Sequence, residues 1–364
     1  MKPTYILLCF VLLFCSCSGT SVPPPQPFNV FGYLPEYRAN KLFPYETFFA
    51  NGLTHLIFFS VEINNSTLGI DYIEERLPPV EEWNKIRELA DKYNVKLMVC
   101  VGGSDRSEAY PTLVRSNHTE NFFSQLKSLY VDRKLDGFDF NWEYPALEED
   151  YRKMNEFLIK ARAALNSTGR PPIVSMPAHP HPTTSSFLRL SGINDAVDYI
   201  HWMAYGTVER LSVLMQPLVL EGFYDNIKKL TLGLDFYATN GPQNATTYSE
   251  VVVRALMQSE KPATDEVVQR LKESSNEGGF DFTGYYGVQK KMDRARQANF
   301  TGVMIWELGQ DILSYPPEVL KKATDDATIE KLYNVSLMRS IHEKLTEWKK
   351  ADPPKKDINE EGDL

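Results

Sequence analysis

Eight short apolar runs alternate along this chain with segments whose apolar residues recur every three or four positions, and this alternation limits the fold more than any other feature. The runs occupy residues 30–34, 53–63, 96–101, 137–142, 173–176, 199–204, 230–236 and 302–306, lengths that suit buried strands. Between them, residues 80–93, 121–133, 148–165 and 288–297 have the spacing of amphipathic helices. Strand and helix alternating in this way over about 280 residues predict an α/β fold, a (β/α)8 TIM barrel. Residues 239–279 exceed a usual strand-to-helix connection and carry helical spacing at 247–257 and 265–274, so a short helical insertion is expected after strand 7.

The fourth run differs from the others. It reads Leu135-Asp136-Gly137-Phe138-Asp139-Phe140-Asn141-Trp142-Glu143-Tyr144-Pro145. A strand's period of two puts Asp139, Asn141 and Glu143 on one face and Phe138, Phe140 and Trp142 on the other. Strands buried on both faces are normally apolar throughout, so this polar row must face a shaped polar cavity. The alternative, a charged edge strand facing water, leaves the three aromatics unexplained.

Asp136, Gly137, Asp139 and Glu143, continued by Trp142, Tyr144 and Pro145, resemble the Asp-Gly-x-Asp-x-Asp-x-Glu signature of family 18 glycoside hydrolases, the chitinases and their relatives. Asn141 stands where that signature has its third aspartate. The resemblance extends over residues 31–311. It implies that Glu143 is the general acid and that the substrate's own 2-acetamido oxygen is the nucleophile, so that a single carboxylic acid suffices. The residue two places before the acid would orient the acetamido N–H. Asn141 can accept that proton and donate to Glu143, but it lacks a charge beside the developing cation.

Other strand ends continue the resemblance. Val99-Cys100-Val101-Gly102-Gly103-Ser104 is similar to a Ser-x-Gly-Gly motif with cysteine for serine, which implies that Cys100 supports Asp139. His201-Trp202-Met203-Ala204-Tyr205-Gly206 is similar to Met-x-Tyr-Asp. It implies that Tyr205 holds the acetamido carbonyl and that Gly206 lacks one sugar contact. Trp306 matches a tryptophan that floors the sugar site, while Tyr33, Met203 and Tyr237 match positions lining it. The catalytic candidates are thus Glu143, Asn141, Asp139 and Tyr205, and the substrate-binding candidates are Trp306, Tyr33, Met203 and Tyr237. No cofactor or metal is implied. His179-Pro180-His181 has no further ligands at metal spacing, and Gly102-Gly103 lacks the spacing of a phosphate loop.

The chain has 364 residues, enough for one large barrel without staples. Its formal charge is −9 and its basic residues are scattered, which argues against nucleic acid and leaves a neutral saccharide as an easy partner. Residues 1–21 have the order of a secretory signal peptide, with an apolar run over 5–15 too short to span a membrane. Cys9, Cys15 and Cys17 fall inside it, leaving Cys100 as the one expected mature cysteine. A lipid anchor through Cys17 is the alternative. Residues 22–27 read as a proline-rich linker, 28–350 as the catalytic barrel and 351–364 as a disordered tail. Asn-x-Ser/Thr triplets begin at Asn64, Asn65, Asn117, Asn166, Asn244, Asn299 and Asn334, which suits a secreted glycoprotein. A monomer is expected, secreted or held in the secretory lumen. Three activities stay open: hydrolysis of β-1,4-linked N-acetylglucosamine, a lectin that binds this sugar with little or no turnover, and an endo-N-acetylglucosaminidase acting on N-glycan cores.

Overall fold

The computed structural model describes residues 27–351 apart from residues 41, 223, 258–263 and 322–323. The expected leader, most of the linker and the tail beyond residue 351 lie outside the described residues. Eight parallel strands form the barrel: β1 (Asn29–Pro35), β2 (His55–Ile63), β3 (Lys96–Gly102), β4 (Gly137–Asn141), β5 (Ile173–Ala178), β6 (Tyr199–Trp202), β7 (Leu230–Asp235) and β8 (Gly302–Trp306). Each pairs with its neighbours in sequence, and β1 pairs with both β2 and β8, so the sheet closes. Every strand occupies one of the eight apolar runs.

Alternation along the strands sorts side chains into two compartments. Phe138 and Phe140 of β4 point outward, where Phe140 meets Phe157 edge to face at 5.8 Å on the helix Glu148–Asn166. Inside the barrel, Phe31 and Tyr33 of β1, Ile57 and Phe59 of β2, Met98 and Cys100 of β3 and Met304 of β8 form a second apolar cluster. This inner cluster is small and supports the polar groups above it. The expected helices form at Val80–Tyr93, Glu120–Asp132, Glu148–Asn166 and Tyr285–Gln297, and the closing helix at Leu337–Ala351.

The segment after β7 contains its two expected helices, Tyr248–Met257 and Asp265–Glu273. It also contains strands that the sequence reading missed. Tyr237–Thr239, Ala245–Thr247, Asn276–Glu277 and Phe280–Phe282 pair as a small four-stranded antiparallel sheet. Strands of two or three residues are too short to show a period of two, so tertiary pairing defines them. The insertion is therefore α+β, and its sheet begins two residues beyond the end of β7.

Candidate active site

Barrel strands deliver functional side chains at their C-terminal ends, and register decides which of them meet. Cys100 of β3 lies opposite Asp139 of β4, and Ser175 of β5 lies opposite Asp139 on the other side. The Asp139 carboxylate is wholly buried and accepts from Tyr33 Oη at 2.8 Å and Ser175 Oγ at 2.7 Å, with the Cys100 thiol as a further donor. Burial pushes its pKa up to about 6; the three donors oppose the rise and the Glu143 charge adds to it. His201 Nε2 sits 3.7 Å away, and burial holds its imidazole neutral, with a pKa of about 3. Asp139 is thus engaged inside the barrel and is not among the residues that line the cavity above it.

Two glycines let β3 approach β4 closely. Gly102 and Gly103 have φ of +87° and +116°, and an added Cβ would lie 2.5 Å from Asn141 O and 2.4 Å from the Phe59 ring, respectively. The turn that follows brings Ser107 back under the site. Its Oγ accepts from Glu143 N at 3.1 Å and also contacts Asn141 O at 3.1 Å and Gly103 O at 2.7 Å. Glu143 is therefore held by its backbone. Its side chain is partly buried, and burial raises its pKa; hydrogen bonds from the Asn141 amide, the Tyr144 hydroxyl and the Ser104 backbone oppose the rise. Asn141 is itself buried, and its Oδ1 has no partner among the described residues.

Glu143 and Asn141 open into a cavity of about 310 Å³ whose walls are mainly aromatic and thioether groups. Trp306 meets Tyr33 at 5.5 Å and Phe59 edge to face at 4.8 Å. Tyr205 packs edge to face on Tyr237 at 6.0 Å, and its hydroxyl contacts the soft acceptor Met304 Sδ at 3.6 Å. Burial holds that hydroxyl far above the usual phenol pKa, so it stays a donor. Tyr37 and Tyr144, also lining the cavity, are 62% and 48% exposed. Cis peptide bonds join Phe59 to Ser60, Glu143 to Tyr144 and Trp306 to Glu307.

Glu143, Asn141, Tyr205, Met203, Trp306 and Tyr33 all line this one cavity. Tyr33 contributes its ring, because its hydroxyl is turned to Asp139. Tyr237 instead lines an adjoining cavity of about 460 Å³ on the other side of Trp306, with Arg38, Glu250 and Gln310. Asp136, although part of the same motif, lies at the opposite end of β4, where it accepts from Leu97 N at 2.8 Å and pairs with Arg87 at 2.7 Å. His179 packs on Tyr144 at 5.4 Å, and His181 caps the helix Pro182–Ser191 by accepting from Thr183 N.

Sequence reasoning missed Ser107, Ser175 and Arg106. Ser175 could have been found from its inward parity on β5. Ser107 and Arg106 sit in a turn with no periodic signal. Arg106 lines the cavity and pairs with Glu36 at 2.7 Å beside the Phe59 ring. Taken together, the cavity presents one carboxyl group whose pKa burial raises, one amide acceptor without a partner among the described residues, one phenolic donor and an aromatic wall.

The profile of the glycosyl hydrolases family 18 matches residues 29–311. Among curated proteins, Chitinase 1 of Aphanocladium album is 30% identical over 119 residues, covering 31% of this chain and 28% of that protein. The matched stretches of the first two such relatives span 28% and 47% of their length. Among solved structures, a chitinase from Bacteroides thetaiotaomicron superposes with a TM-score of 0.63 at 19% identity, covering 88% of this chain and 97% of that one. A chitinase from Cycas revoluta in complex with (GlcNAc)3 gives 0.61 at 16% identity, covering 87% and 99%. These two show the shared fold. Among the described residues, no helix is long and apolar enough to cross a membrane.

Proposed function

We propose that this chain, which belongs to glycosyl hydrolase family 18, hydrolyses β-1,4-linked N-acetylglucosamine oligomers with retention, the substrate's acetamido group acting as nucleophile. One observation carries the reading. Asn141 Oδ1, buried without a partner among the described residues, and the Tyr205 hydroxyl, whose contact is a thioether, share the cavity with Glu143. An acceptor and a donor that both lack strong partners match the N–H and C=O of a secondary amide. Leaving such groups unmatched costs about 1–3 kcal/mol each, which a ligand amide would recover.

In this reading Glu143, whose pKa burial raises, gives its proton to the glycosidic oxygen as the bond from that oxygen to C1 breaks, the electron pair leaving with the oxygen. The acetamido oxygen bonds to C1 and forms an oxazolinium ion, its N–H held by Asn141 and its carbonyl aligned by Tyr205. Water then adds to C1 from the face the leaving group vacated. Its proton passes to the Glu143 carboxylate, and the acetamido group re-forms. Two displacements give retention, and no second carboxylate is required. Trp306 stacks on the sugar's apolar face, while the exposed rings of Tyr37 and Tyr144 extend the platform.

Binding without turnover is the second reading, favoured by the neutral Asn141 beside a developing positive charge. Release of chromophore from 4-nitrophenyl chitobioside separates the two. Turnover that Glu143→Gln abolishes supports hydrolysis, whereas saccharide binding without turnover supports a lectin. The order of residues 1–21 supports export from the cytosol, tested by the N-terminal sequence of the protein recovered from its native host.

A further inference from the structure

The functional reading gives no role to a buried lysine behind the site. Lys291, on the helix Tyr285–Gln297, is 0% exposed. Its ammonium donates to Gly206 O at 2.8 Å, Ala204 O at 3.1 Å and Asp235 Oδ1 at 3.3 Å, so its three protons find three acceptors. Asp235, at the end of β7, is itself buried, and the same Oδ1 accepts from Gly206 N at 3.0 Å and Thr283 Oγ1 at 2.9 Å. Thr283 follows the last strand of the insertion, and its single hydroxyl proton is shared between that carboxylate and Gly206 O, 3.0 Å away. Gly206 has a φ of +109°, a conformation most residues avoid.

The two carbonyls held by Lys291 belong to the residues on either side of Tyr205. This backbone lies beyond the end of β6, where no barrel ladder fixes it. Without the ammonium, two carbonyls and a carboxylate would be buried with fewer donors than acceptors, an arrangement that costs several kcal/mol unless the loop moves. We propose that Lys291, paired with Asp235, is a positioning residue that fixes the backbone on both sides of Tyr205 and thereby sets where the Tyr205 hydroxyl meets the substrate. The inference rests on the proposed function and adds a residue to it. It also links the insertion to the chemistry, because Thr283 and Lys291 reach the same loop from the insertion's exit and from the helix after it.

The test is a double-mutant cycle on 4-nitrophenyl chitobioside hydrolysis, with folding followed by circular dichroism. Lys291→Met and Tyr205→Phe should each lower kcat/KM by about 10- to 100-fold, since a misplacement near 1 Å costs that much. The double variant should be no slower than the slower single variant, and Lys291→Arg should recover most of the loss. If Lys291→Met does not fold, Asp235→Asn/Lys291→Met removes both charges and replaces it in the cycle. Should the wild type release no chromophore, the same cycle is read on the dissociation constant for chitotriose. Multiplicative losses in the double variant, or a folded Lys291→Met with wild-type values, overturn the role of Lys291 alone. If Tyr205→Phe itself changes neither turnover nor chitotriose binding, the functional reading fails, and Lys291 then has nothing to position.

Discussion

The amide of Asn141 lies against the carboxyl of Glu143, yet the same side chain's Oδ1 is buried with no partner among the described residues. One residue thus contacts the Glu143 carboxyl on one side and offers an unmet acceptor on the other, among the described residues. It does so without the charge that would stabilise an oxazolinium ion. Asn141→Asp is expected to raise kcat on 4-nitrophenyl chitobioside by about 100- to 1,000-fold, the range over which one such electrostatic group acts. Steady-state kinetics check this, and an unchanged kcat would mean that charge at this position does not limit the reaction.

Burial lets Asp139 keep its proton in the folded protein up to about pH 6, against 3.8 for an ordinary aspartate. Between those values the native state binds more protons than the unfolded chain, so stability falls as pH rises. The contribution is fully present below about 3.8 and lost once pH passes through about 6. Urea unfolding of the wild type should weaken relative to Asp139→Asn across this window, by on the order of 3 kcal/mol at most. Glu307 and Asp311, also raised by burial, shift stability in the same direction in both proteins and cancel in the difference. A constant difference from pH 4 to pH 7 would contradict the assignment.

Trp306 stands between the two cavities, with Tyr33 and Phe59 behind it. Trp306→Ala should raise KM about 10-fold, equivalent to roughly 1.4 kcal/mol of lost stacking and burial. The Glu143-dependent pH limb should not move. An effect on kcat alone would make the tryptophan a support for the acid and not a sugar platform.

Cys100 is buried and free, and burial followed by the Asp139 charge raises its thiol far above the usual range. Reaction with 5,5′-dithiobis(2-nitrobenzoate) should be undetectable for this thiol in the folded protein and complete in urea. Fast labelling under native conditions would mean that the Asp139 chamber opens.

The barrel was legible because each strand falls in a short, largely apolar run, and the outer helices repeat at a helical period. Asp139, Asn141 and Glu143 stood out for a different reason, a polar row that interrupts an apolar pattern, whereas Tyr205 and Trp306 were picked out by resemblance to the family's motifs; Glu143, Asn141, Tyr205 and Trp306 share one cavity. The insertion's strands escaped because Asn276–Glu277 and Phe280–Phe282 are defined by partners across the sheet. Ser107 escaped because its function depends on how the turn after Gly103 folds back. Lys291 reads as one more charge on an amphipathic helix. Its burial follows from Asp235 and the carbonyls of Ala204 and Gly206, which meet it only once the barrel closes.

In the proposed reaction Glu143 donates the proton that releases the leaving sugar. Hydrolysis of 4-nitrophenyl chitobioside by the wild type and by Glu143→Gln tests it most directly, with chitotriose affinity measured for both. The wild type is expected to turn over, with a loss of about 1,000-fold or more in the variant and similar affinities. Equal residual turnover in the two proteins would contradict it.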